Sequence, residues 1–120
     1  MKSLALLTAG LTTFATATFA QTEIQFWHAM GGRLGEVVEE IAEKYNASQS
    51  DYVLVPTYKG GYEDTMTAGI AAFRAGQQPN LIQIFDAGAA TIINAPGATV
   101  PVADLLTEHG DGFDGRCSGR

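Results

Sequence analysis

The sequence predicts an α/β fold, an open and doubly wound sheet whose strands are mostly parallel. Three observations carry this. Strand-like runs alternate with segments of helical period three times along the chain. Such alternation implies parallel strands joined by right-handed crossovers. The third strand-like run is almost continuously apolar, as a strand covered on both faces must be.

Each element has its own local reason. Glu23–Trp27 (EIQFW) reads as the first strand, followed by the polar, glycine-bearing stretch His28-Ala29-Met30-Gly31-Gly32. Leu34, Val37, Val38, Ile41, Ala42 and Tyr45 then recur at the spacing of one helical face, with Glu36, Glu39, Glu40, Glu43 and Lys44 mostly off it. Residues 46–51 form a turn. Tyr52–Thr57 is the second strand, with Pro56 near its end, where a missing N–H does least damage. Tyr58-Lys59-Gly60-Gly61 is a loop. Tyr62, Met66, Gly69, Ile70 and Phe73 repeat the helical spacing, with Glu63 and Asp64 at the positive end of the helix dipole and Gly76 as the stop. Leu81–Phe85 is the third strand. A small-residue helix over 89–94 and a short helix over 102–108 complete the reading.

Composition bounds the function. The chain has 120 residues, is 46% hydrophobic and 17% charged, and so holds enough apolar surface to offset chain entropy. Its formal charge is −6. That excludes a general nucleic-acid reader, which needs a basic face to neutralise phosphates. It also disfavours an anionic membrane surface. With Cys117 as the single cysteine, no intramolecular disulfide and no Cys-based zinc site can form. No cofactor or metal is expected.

The two ends read differently from the middle. Lys2, the apolar run around Leu4, Leu6, Leu7 and Leu11, and small residues at Ala15, Ala17 and Ala20 form a secretory signal over 1–20, cleaved after Ala17 or Ala20. The expected product is exported, soluble and without a lipid anchor, because no cysteine follows the apolar run. Residues 21–114 are expected to be a partial N-terminal lobe. Residues 115–120 are expected to be an aberrant or disordered tail. Arg116 and Arg120 are the only bases after Arg74, and a change of reading frame near Gly115 would explain them.

In open α/β sheets ligands sit outside the carboxyl ends of the strands. Those ends carry Trp27, His28, Ala29 and Met30; then Tyr58, Lys59, Gly60, Gly61, Tyr62 and Glu63; then Asp86, Ala87 and Gly88. One rim therefore gathers a carboxylate, phenols, a Trp, a His and several glycines, which suits a polar small molecule against an aromatic wall. Plainer readings stand beside this. Asp86 also reads as a helix cap, and Tyr62 as the first core residue of its helix. His28 also reads as a hydrogen-bonded structural histidine, Trp27 as packing, and Lys59 as solvated. Gly31-Gly32-Arg33-Leu34-Gly35 lacks the dinucleotide-binding order, and no phosphate-loop Lys-Ser/Thr follows. No nucleophile elbow and no nucleophile or metal set accompanies His28 and Asp86, so no enzyme activity is expected.

Four segments carry a resemblance to a known family: FWHAM at 26–30, VPTYKGGYEDTMTAGIAAFRAGQQP at 55–79, LIQIFDAGAAT at 81–91 and PVADLL at 101–106. The chain resembles the N-terminal part of extracellular solute-binding family 1, the periplasmic binding proteins that serve ABC importers. The resemblance implies a partial first lobe of a two-lobed, type II-like protein that closes on its ligand by hinge motion. It implies presentation of that ligand to ABC permease membrane subunits. It implies sn-glycerol 3-phosphate as ligand, with glycerophosphodiesters such as glycerophosphocholine. Tyr62 and Asp86 fall on family ligand-binding positions, the latter where the family more often has Glu. His28 and Lys59 remain candidate rim residues. Family members are several times longer, and their other ligand contacts, serines and an arginine, lie beyond this chain. The other readings are a family-1 protein for a sugar, a non-functional truncated product, and, last, a small secreted hydrolase.

Overall fold

The computed structural model describes residues 21–110. The expected signal over 1–20 and the expected tail over 115–120 lie outside the described residues. Thr22–His28 (β1) is the central strand of a parallel sheet ordered β2-β1-β3, with Tyr52–Tyr58 (β2) on one side and Leu81–Ile82 (β3) on the other. The seven residues of β1 pair with the seven of β2 from Thr22–Tyr52 to His28–Tyr58. Gly32–Ser48 (α1) and Tyr62–Arg74 (α2) are the two crossovers. The path steps from β1 to β2 and back over β1 to β3. Right-handed crossovers then place α1 and α2 on opposite faces. This is the doubly wound arrangement that the alternation predicts.

Asp86–Ile93 (α3) and Val102–His109 (α4) follow. Gly76, at φ 67°, turns the chain out of α2 through the left-handed region that favours glycine. Among the described residues no helix is long and apolar enough to cross a membrane.

The boundaries depart from the periodicity in two places. The helix α1 runs through Asn46, which the sequence reads as turn. Asn46 Oδ1 accepts from the Leu54 N–H at 2.7 Å, and its Nδ2 donates to the Leu54 carbonyl at 2.9 Å. One side chain thus closes two backbone groups of the edge strand β2. Pro56 sits in that same edge strand, where a missing donor is tolerated.

The third strand is two residues long rather than five. Side-chain amides take over where its ladder ends. Asn80 Oδ1 accepts from the Gln25 N–H at 2.9 Å, and Gln83 Oε1 accepts from the Ala29 N–H at 3.0 Å. Gln83 itself donates its N–H to the Trp27 carbonyl at 2.8 Å. The central strand is therefore satisfied along its β3 side beyond the paired residues, although β3 is short.

Among the described residues the only buried hydrophobic side chain is Ala42, under the middle of α1. Val37 and Val38 are half-buried, while Leu34 and Ile41, on the same predicted face, are 60% and 57% exposed. The helix meets the sheet through the small-residue flank of its apolar stripe. The large residues lie to one side of that contact.

On the opposite face Gly69 of α2 abuts the Ile82 side chain, and Gly88 of α3 is enclosed by Met66 and Phe85. A Cβ on Gly88 would lie 2.5 Å from the Met66 sulfur and 2.9 Å from the Phe85 ring. Gly88→Ala should therefore cost about 1 kcal/mol, the lower end for overpacking, because the thioether can yield. A lowered urea midpoint checks this.

Candidate functional site

The strand order turns at β1, so the crevice outside the carboxyl ends of β1 and β3 is the switch point where α/β sheets place ligands. Three chain segments meet there: His28 to Gly31, Lys59 to Tyr62, and Gln83 to Asp86. The Lys59 N–H donates to the His28 carbonyl at 3.0 Å, continuing the β1–β2 ladder into the loop. Gly60, at φ 98°, then reverses the chain in a conformation that L side chains rarely adopt. Gly61 is the extended residue before α2, and its N–H donates to Asp64 Oδ2 at 3.1 Å. This is half of a capping box. Glycine has no side chain with which to complete it.

These constraints deliver Tyr62 as the first residue of α2. Its side is 47% exposed, and its ring lies 5.7 Å from that of Phe85, tilted by 33°. Tyr62, Phe85, Gly61, Glu63 and Asp64 line an open concavity of about 380 Å³. Asp86 follows Phe85 directly and opens α3. Its Oδ1 accepts from the Ala87 N–H at 2.8 Å, and the carboxylate is exposed. The Tyr62–Phe85 contact therefore brings the start of α2 beside the residue that precedes Asp86. Phe85 is the residue that sequence reasoning missed. Its aromatic type three positions past β3 is the signal that could have found it.

The lip is acidic. Glu63 and Asp64 line it, and it presents acceptors suited to hydroxyl groups more than a charge partner for an anion. Arg33 is engaged by Glu36 at 2.8 Å on the exposed start of α1.

The two candidate rim residues sit differently from the expectation. His28 is at the strand end, but its ring is only 1% exposed, 5.6 Å from the Phe26 ring and 6.0 Å from the Tyr58 ring. Neither ring nitrogen has a partner in this arrangement. His28 shares a sheet face with its register partner Tyr58. That tyrosine closes over it towards Gly31, where a Cβ would stand 3.2 Å from the Tyr58 hydroxyl. So His28 lies beneath the rim and offers nothing to a solute. Lys59 is half-buried, and its Nζ lies 3.9 Å from the centroid of the Trp27 ring.

A second concavity, of about 360 Å³, lies between α2 and α3, lined by Ile70, Phe73, Pro79, Ile82 and Ile92 among others. Its apolar lining does not suit a polar solute. Among the described residues no group of three His, Cys, Asp or Glu side chains could hold a metal ion.

No family model matches the chain. Curated relatives do. The sn-glycerol-3-phosphate-binding periplasmic protein UgpB of Agrobacterium fabrum is 52% identical over 105 residues, 87% of this chain and 24% of its own length. Its counterparts from Rhizobium meliloti and Yersinia pestis are 50% and 46% identical over 101 and 102 residues. These relatives are named as binding proteins, not as enzymes. The chain spans about a quarter of the length of the curated relatives it matches. About half of the residues are identical over 85–87% of the chain, so the resemblance holds: the chain is homologous to about a quarter of the length of the sn-glycerol-3-phosphate-binding periplasmic proteins UgpB.

Proposed function

We propose that this chain supplies part of the first lobe of a periplasmic solute-binding subunit of an ABC importer. Its ligand is sn-glycerol 3-phosphate, with glycerophosphodiesters such as glycerophosphocholine as further ligands, and its partners are the permease subunits in the membrane. The leader over 1–20 exports it, and residues 21–114 form the lobe. The observation that carries this reading is the contact of Tyr62 with Phe85. Tyr62 packs on Phe85, the residue before Asp86, at the switch point of the sheet, in a chain that is 52% identical to the Agrobacterium sn-glycerol-3-phosphate-binding relative over 105 residues.

The chemistry assigns two roles. The Tyr62 hydroxyl donates to a phosphate oxygen, a charge-assisted hydrogen bond. The Asp86 carboxylate accepts from glycerol hydroxyls and repels a misplaced phosphate. Asp in place of Glu shortens the reach by one methylene, which draws the glycerol end closer to α3. The phosphate charge is balanced by groups outside this lip.

A graft tests the proposal. Residues 21–110 replace the matching segment of the Agrobacterium relative, and the chimera is titrated with sn-glycerol 3-phosphate by calorimetry. Saturable binding is expected. A folded chimera that releases no heat, beside a parent that binds, would refute the reading. The 120-residue chain alone should bind no tighter than millimolar, because a single lip open to water gains little from its few hydrogen bonds.

A further inference from the structure

The contact between Lys59 and Trp27 joins β1 to the turn that follows β2. Trp27 is in β1, on the sheet face of its register partner Ile82, which α2 covers through Gly69. Lys59 is the first residue after β2, at the start of the turn that leads to Tyr62. Its ammonium lies over the indole face at 3.9 Å, with both side chains half-buried. The quadrupole of the indole makes it the best of the aromatic faces for a cation. Among the described residues Lys59 forms no ion pair, although Glu63 and Asp64 follow it closely in sequence.

The turn needs such a tether. Two consecutive glycines, Gly60 and Gly61, carry most of it, and glycine alone holds a backbone weakly. Asp64 restrains Gly61 from within α2 itself. The Thr65 hydroxyl lies 3.4 Å from the His28 carbonyl and 3.5 Å from the Gly60 carbonyl, and its one proton serves one of them at a time. The stacked ammonium is the side-chain contact that fixes the turn at its first residue.

We infer that Lys59 is a positioning residue, not an anion contact: its ammonium, docked on Trp27, pins the Gly60-Gly61 turn and so sets where Tyr62 stands. That Tyr62 meets the solute rests on the function proposed above. The docking itself does not, and its test uses no ligand, so the two can fail separately.

Trp27 is the single tryptophan of the chain, so its emission reports the surroundings of this one ring. In the full chain, Lys59→Met should change the Trp27 emission and raise its quenching by acrylamide. It should also speed hydrogen exchange at the amides of Gly60 to Glu63 by about two- to fivefold, the factor that an exposed cation–π contact supplies. Exchange across the middle of α1 should stay unchanged, which reports an intact fold. Lys59→Arg, whose guanidinium stacks as well, should restore wild-type emission and exchange. Trp27→Phe, a weaker ring, should loosen the same amides and provides a second route should Lys59→Met disturb folding. Unchanged emission and exchange in Lys59→Met would overturn the inference. So would an arginine variant that behaves like the methionine one.

Discussion

Tyr62→Phe in the grafted chimera should lower the affinity for sn-glycerol 3-phosphate by roughly ten- to a hundredfold, the range for losing one hydrogen bond to a charged group. The substitution removes a single oxygen. The ring keeps its place 5.7 Å from Phe85, so the circular dichroism and melting of the chimera should not change. Asp86→Asn should weaken binding over the same range, for a different reason. The amide oxygen can still accept from the Ala87 N–H, which keeps the start of α3 intact. It lacks the negative charge that makes a carboxylate a strong acceptor for hydroxyls. Inorganic phosphate separates the two roles. As a competitor it should lose strength with Tyr62→Phe and keep it with Asp86→Asn. Two variants that affect phosphate equally would contradict the assignment of one residue to each end of the ligand.

Asn46→Leu should lower the stability of the chimera by about 2 kcal/mol, as expected when a backbone donor and acceptor lose their partners together. Asn46 closes both the N–H and the carbonyl of Leu54 on the outer side of β2. Leucine keeps the branched skeleton and is a better helix former, so helix propensity works against the loss rather than for it. The exposed strand edge should also promote self-association. A lowered urea midpoint with a concentration-dependent elution volume checks both effects. If the midpoint stayed within experimental scatter, water would be serving Leu54 as well as Asn46 does.

The legible and the hidden parts of this structure divide along a physical line. The elements β1, α1, β2 and α2 follow from periodicity, because each buries one face against the next and the pattern records which. Their order then dictates the crossover faces and the switch point, so the Tyr62 and Asp86 segments meet as the topology requires. What periodicity does not record is a hydrogen bond between residues far apart in sequence. Asn80 reaches Gln25 in β1 and Gln83 reaches Ala29 just after it, 55 and 54 positions away, and they let β3 stop after Ile82. Asn46 reads as a turn residue by type and acts as a strand partner by position. The burial of His28 was equally hidden, since it depends on Tyr58 closing over it rather than on anything in the local sequence. Lys59 reads as a solvated base because lysine usually is one. Its docking needs a tryptophan on the neighbouring strand, whose register partner Thr57 lies two residues before Lys59.

The exposed flank of α1 shows the same division. Leu34, Ile41 and Tyr45 satisfy the helical pattern, yet the sheet reaches only Ala42 and its half-buried neighbours. A pattern states that a face is apolar. It does not state which element covers each part of it.

The most direct test of the account is a crystal structure of the chimera with sn-glycerol 3-phosphate bound. The account predicts a phosphate oxygen within hydrogen-bonding distance of the Tyr62 hydroxyl, a glycerol hydroxyl on the Asp86 carboxylate, and the Lys59 ammonium still stacked on Trp27. A ligand seated away from the Tyr62–Phe85 lip, or one whose phosphate is held by Lys59, would contradict it.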